Sequence, residues 1–239
     1  MAAAAVADPL PRAPSPFAVV LNDCTEFAGL GPLAGTQIQG RLPPGYTAAT
    51  FGPGTAGVVA RASRCDRVSV DGGPVERATV SHIGINLMTP DGTGDINNYT
   101  LLYVTDSWRL AAKLREFGLP VRIDSNMVYE VNPAGSALEL YAQVQAEPGI
   151  TYFLDGVVND PAPGTAAPFL ANWWYSSRAG RMKMSTDIPA FAAGQADVAL
   201  FNSRESALGQ FLAGNRTVFP LLSVRGKFSH AVMTVSLER

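Results

Sequence analysis

Hydrophobic and polar residues alternate with period two over much of this chain. The longest such run is residues 75–88, VERATVSHIGINLM. One face carries Ser81, Ile83, Ile85 and Leu87, and the other carries Val80, His82, Gly84, Asn86 and Met88. Both faces are partly apolar, so the pattern predicts a strand covered on both sides, as in the wall of a closed barrel. Shorter runs predict strands over residues 17–21, 57–62, 67–70, 99–104, 128–131, 138–145, 150–158, 195–201, 218–224 and 228–237. Asp71-Gly72-Gly73-Pro74, the polar stretch 89–98, Pro133-Ala134-Gly135 and Glu147-Pro148-Gly149 mark turns. Residues 41–57, rich in Pro and Gly, read as a turn-rich crossing and not as a helix.

The period changes to helical spacing in two places. In residues 98–122, NYTLLYVTDSWRLAAKLREFGLPVR, a strand leads into Thr105-Asp106-Ser107, whose side chains suit a helix N-cap. Leu110, Ala111, Leu114 and Phe117 then form one stripe, Gly118 supplies a left-handed C-cap, and Pro120 forbids continuation. A second helix begins at Asn202-Ser203-Arg204-Glu205, places Ala207, Leu208, Phe211 and Leu212 on one face, and ends at Gly214. Strands dominate and no βαβ alternation occurs. The fold class expected is mostly β (α+β): one closed or nearly closed antiparallel β-barrel domain over residues 17–239 with two short helices. Residues 1–16 read as a disordered Ala/Pro-rich tail.

Composition agrees. Of 239 residues, 47% are hydrophobic and only 16% charged, while 23 Gly and 18 Pro supply many turns. A net charge of −2 and the lack of a basic run argue against nucleic acid or an anionic membrane as partners. No apolar run approaches the ~20 residues of a membrane helix. The N-terminus has no positively charged n-region, so Cys24 and Cys65 are expected to be free thiols in a cytoplasmic protein.

Little local chemistry is visible. GxSxG, GxGxxG, P-loop, HExxH and CxxC patterns are absent, and with only His82 and His230 no metal site and no cofactor are expected. The loop Asp91-Gly-Thr-Gly-Asp95 lacks the spacing of a calcium loop and reads as a turn. Two readings of His82 stand: an acid or base facing an internal cavity, or a core histidine. Trp173-Trp174-Tyr175 offers a wall for an apolar pocket, with at most two of the three on one side. Of three lysines, Lys113, Lys183 and Lys227, only Lys183 has the apolar and cationic neighbours that activate an amine.

The order of elements resembles the acetoacetate decarboxylase-like superfamily over roughly residues 17–237. It runs from an early strand through LPPGY and paired strands to YTLLYVTD and its helix, then a hairpin, an aromatic strand, a second helix and a final strand pair. The resemblance implies a β-barrel around a small-molecule cavity. In that family the comparable strand–helix passage ends in a Tyr/Phe-Pro-Lys-Lys motif whose first lysine forms a Schiff base. Here Leu119-Pro120-Val121-Arg122 stands in its place. Val121 matches the nucleophile and cannot form an imine, and Arg122 matches the second lysine and can bind a carboxylate or polarise a carbonyl. The family's catalytic glutamate matches the strand around His82. Its N-terminal arginine matches residues 22–26, which contain no arginine.

The expectation is therefore an enzyme acting on a carbonyl-containing small molecule without a Schiff base, by dehydration, isomerisation or cyclisation. His82 and Arg122 are its expected catalytic residues. Asn86, Tyr103, Val121, Trp173 and Trp174 are expected to bind substrate. A homo-oligomer and a setting in specialised metabolism are also expected. The alternatives are a non-catalytic binding protein on the same barrel and a Schiff-base lyase using Lys183.

Overall fold

The computed structural model describes residues 13–147, 150–203, 205–212 and 218–238. Most of the predicted tail, the Pro148-Gly149 turn, Arg204 and the predicted helix end at Gly214 lie outside these residues. In chain order the elements are β1 (Phe17–Ala34), α1 (Gly35–Gln39), β2 (Thr50–Gly52), β3 (Thr55–Val70), β4 (Glu76–Asn86), β5 (Ile96–Thr105), α2 (Trp108–Glu116) and β6 (Arg122–Ile123). They continue with β7 (Val128–Ala134), β8 (Ala137–Glu147), β9 (Ile150–Val158), β10 (Ala167–Ser177), β11 (Gly180–Asn202), α3 (Ala207–Phe211) and β12 (Val218–Glu238).

All strands join one sheet, with the order β10-β5-β4-β3-β1-β12-β11-β9-β8-β7. An additional β10–β11 pairing closes seven of them into a ring, leaving β9, β8 and β7 as an extension. Closure removes the edges that an open sheet of these long strands would expose. The ring is antiparallel except where β10 runs parallel to β5. β11 changes partners along its length: residues 180–191 pair with β10, and residues 196–202 pair with β9. It thus belongs first to the ring and then to the extension.

Two buried layers result. Inside the ring, Val19, Val68, Tyr103, Met184, Phe228 and Val235 meet the α2 stripe of Leu110, Ala111 and Leu114. Outside it, the extension lays Leu140, Val144, Tyr152 and Leu154 against Val58, Ala60, Ile83 and Ile85. β4 is therefore buried on both faces, as its alternation predicts. The helix prediction also holds. Ser107 Oγ accepts from Leu110 N at 3.1 Å, and Gly118, at φ +84°, carries the chain out. There Leu119 N donates to Leu114 O and Gly118 N to Arg115 O, which is the Schellman ending.

Three expectations need correction. Residues 57–62 and 67–70 belong to one strand, β3, and the runs 218–224 and 228–237 likewise form β12. A third helix, α1, lies just before the crossing segment. Cys24 and Cys65 are not free thiols: they face each other across β1 and β3 and form a disulfide, with Cα atoms 4.1 Å apart. The free thiols expected from the cytoplasmic reading are thus overturned. Among the described residues, no helix is long and apolar enough to cross a membrane.

Candidate functional site

Period two decides what reaches the ring interior. A cavity of about 400 Å³ opens there, lined from six of the seven ring strands: β1, β3, β5, β10, β11 and β12. Glu26, Arg61, Asn98 and Thr186 supply its polar groups, and Trp173, Phe169 and Phe191 much of its apolar wall. Phe169 and Phe191 stack with ring centres 5.0 Å apart. A concave, mainly apolar space with a few converging polar groups is the usual form of a small-molecule site.

The charged centre of the wall is an ion pair. Arg61 donates through Nη2 at 2.7 Å and Nε at 3.0 Å, both to Glu26 Oε2. Glu26 Oε1 accepts no hydrogen bond from a described residue. Burial opposes the Arg61 charge, but the attraction and hydrogen bonds of Glu26 more than offset it, and the guanidinium pKa is raised. Neither residue was singled out by the sequence reading. The available signal was a charged residue at an inward position of an otherwise apolar strand: Val59, Arg61 and Ser63 share one face of β3.

His82, Tyr103 and Trp173 are brought together behind this wall. His82 is 1% exposed and lies between the other two rings, 4.0 Å from Tyr103 and 4.1 Å from Trp173 by ring centres. The absence of a side chain at Gly84 makes room for the indole, since a Cβ there would sit 2.6 Å from it and 2.5 Å from the Tyr99 carbonyl. Neither nitrogen of His82 has a hydrogen-bond partner among the described residues. Burial, and then the Arg61 charge, push its pKa well below the ordinary value, so the ring is neutral at pH 7. Burial likewise pushes the Tyr103 hydroxyl far up and keeps it protonated.

This fixes a pH dependence. The unfolded chain protonates His82 below about pH 6.5 while the folded protein resists, so stability is lost as pH falls through that value. The slope from this group reaches about 1.4 kcal/mol per pH unit. Urea unfolding of wild type and His82→Phe at pH 7 and pH 5 is expected to show a smaller pH effect in the variant. An unchanged difference would mean that His82 protonates freely in the fold.

The other predicted site residues lie elsewhere. Val121 is buried in the inner cluster, and Arg115 donates to its carbonyl through Nε and Nη2. Arg122, one residue on, pairs in parallel with Val104 and so points to the opposite face, where it lines a separate pocket with Arg41, Leu102 and Phe211. Arg122 and His82 therefore do not share a cavity. Trp174 also faces outward, donating from Nε1 to Asn97 Oδ1 at 2.9 Å. Asn86 bonds Asn98 Oδ1 at 3.2 Å and so stands behind a cavity residue.

None of the three lysines lines the cavity. Lys113 pairs with Asp71 and Glu116, Lys183 with Asp91, and Lys227 with Asp160. Asp91 also accepts from Thr93 N and Oγ1, so its loop is a turn tied to β11 by Lys183.

No family model matches the chain, and no curated protein matches it. Solved structures do match. An acetoacetate decarboxylase superposes with a TM-score of 0.57 at 12% identity, over 95% of this chain and 90% of its own. An acetoacetate decarboxylase-like enzyme from Sphingomonas wittichii RW1 gives 0.55 at 12%, over 93% and 91%. The enduracididine biosynthesis enzyme MppR gives 0.53 at 13%, over 98% and 95%. At these identities the likeness is one of architecture: the chain has the acetoacetate decarboxylase-like fold.

Proposed function

We propose that this chain is a small-molecule enzyme that moves a proton on a carbonyl-containing substrate inside the ring, without an imine. The observation that carries the reading is the Glu26–Arg61 pair on the wall of a cavity that no lysine lines. Arg61 is suited to hold a carboxylate or carbonyl oxygen through its planar donors. Glu26 is suited to take and return a proton from the adjacent carbon, since one carboxylate oxygen is anchored and the other is uncommitted. The resemblance puts an arginine near residues 22–26; this chain has Glu26 there and its cation, Arg61, on the neighbouring strand.

Proton transfer is assigned to Glu26 in preference to His82. A histidine held far below its ordinary pKa is almost never protonated at pH 7 and is a weak base when neutral. In this reading Trp173, backed by His82 and Tyr103, forms the rigid floor against which the substrate packs. Dehydration, isomerisation and cyclisation of carbonyl compounds all share the proton-transfer step. MppR is described in complex with pyruvate, which makes pyruvate a suitable probe. Borohydride reduction in its presence, followed by peptide mass spectrometry, is expected to leave all three lysines unmodified. A reduced adduct on Lys183 would overturn the imine-free reading and support the lyase alternative.

Self-association is part of the proposal. Val157, Leu222 and Val224 are 47%, 83% and 41% exposed, and Val157 and Leu222 flank Asp197 on adjoining strands β9, β11 and β12. Apolar side chains grouped on a sheet face suit an interface between copies. Leu222→Asp is expected to lower the sedimentation mass of the protein. An unchanged mass would remove this face from the interface.

A further inference from the structure

A second site lies on the outer side of the ring, where β1, β3 and β12 run beside β7. An open groove of about 700 Å³ is lined there by Arg64, Arg225, Lys227, Tyr129 and Thr25. It is separate from the ring interior, because Thr25 and Glu26 are consecutive on β1 and take opposite faces.

Positive charge in the groove is under-matched. The carboxylate of Asp160 bridges two cations, with Arg225 Nε on Oδ1 at 2.9 Å and Lys227 Nζ on Oδ2 at 2.7 Å. Arg64 donates to the backbone carbonyl of Tyr129 at 3.3 Å and pairs with no carboxylate among the described residues. The acids on the groove rim are engaged with outside cations: Asp23 with Arg67 at 2.7 Å, and Asp66 with Arg77 at 3.5 Å. Of the three cations, two share the Asp160 carboxylate and Arg64 has none among the described residues.

The polar groups between them also want acceptors. The Arg225 side chain is only 4% exposed, and its Nη1 is buried with no hydrogen-bond partner among the described residues. A buried guanidinium N–H left without an acceptor is an uncommon arrangement in a folded protein. Tyr129 Oη lies 3.4 Å from Thr25 Oγ1, and burial pushes its pKa up to about 12, so it stays a neutral donor. Guanidinium, ammonium and hydroxyl donors converge on a groove whose own lining carboxylates, Asp23 and Asp66, are paired with Arg67 and Arg77, which matches a ligand with several anionic oxygens.

We propose that this groove binds a multivalent oxyanion, a phosphate ester or a polycarboxylate, held by Arg64, Arg225 and Lys227 with Tyr129 and Thr25 as neutral partners. Asp160 is its internal competitor, since its carboxylate already occupies two of the three cations.

Calorimetric titration of the full chain with inorganic pyrophosphate and with citrate, at ionic strength fixed by chloride, tests this. One saturable site is expected for at least one of the two anions, and the tighter of them tells phosphate from carboxylate chemistry. Arg64→Gln and Lys227→Gln, both at half-buried positions, are each expected to weaken binding about tenfold. Asp160→Asn is expected to strengthen it, whereas Glu139→Gln, the same charge change on the exposed face of β8, is expected to leave it unchanged. No saturable binding of either anion, or an affinity untouched by Arg64→Gln and Lys227→Gln, would overturn the proposal. So would equal strengthening by Asp160→Asn and Glu139→Gln, which would signify only a general effect of charge.

Discussion

Arg61→Met is expected to destabilise the fold by about 3–5 kcal/mol, the range seen when one partner of a buried ion pair is removed and the other stays charged. Glu26 is 5% exposed, and both hydrogen bonds to its Oε2 come from Arg61. Methionine keeps much of the stem volume, so the loss reports the stranded carboxylate and not a cavity. Glu26→Gln is expected to cost less, because the amide oxygen still accepts from Arg61, whose side chain is 16% exposed. The double variant Arg61→Met/Glu26→Leu is expected to recover part of the loss, since it leaves no charge unpaired. Urea unfolding at pH 7 measures all three. An Arg61→Met protein within about 0.5 kcal/mol of wild type would place the pair among solvent-screened surface contacts.

Trp173→Ala is expected to cost about 3–5 kcal/mol, as large-to-small changes at buried aromatics do. The indole is 4% exposed, lines the ring cavity on one side and covers His82 on the other. Without it, cavity water reaches the imidazole, and the largest cause of its low pKa, burial, is relieved. The His82 pKa is therefore expected to rise toward about 6.5. NMR titration of the His82 ring follows this. A His82 titration that does not move would show that Trp173 is not what separates it from the cavity.

Alternation was the most readable feature of the sequence. Residues 75–88 announce a two-sided strand, and the cap residues around α2 announce its start and stop. Alternation also holds the answer for the 121–122 pair: if Val121 turns inward, Arg122 must turn outward, and the same applies to Trp173 and Trp174. The long ring strands were read as fragments because their surroundings change along their length. β11 passes from the ring to the extension, so no single alternation runs through it. The catalytic candidates Glu26 and Arg61 lie 35 residues apart on strands whose register the sequence leaves open, and each is a lone charge in an apolar run. The disulfide was missed for the same reason: Cys24 and Cys65 meet only once β1 and β3 are paired.

Hydrogen–deuterium exchange at the methyl group of pyruvate in D2O, followed by proton NMR, tests imine-free proton transfer in the ring most directly. The wild-type protein is expected to accelerate exchange over buffer, Glu26→Gln to abolish the acceleration, and Lys183→Arg to retain it. Exchange that survives Glu26→Gln, or that disappears in Lys183→Arg, would contradict the assignment of the chemistry to the Glu26–Arg61 pair. Pyruvate that binds without exchanging would leave the ring as a binding cavity and not an active site.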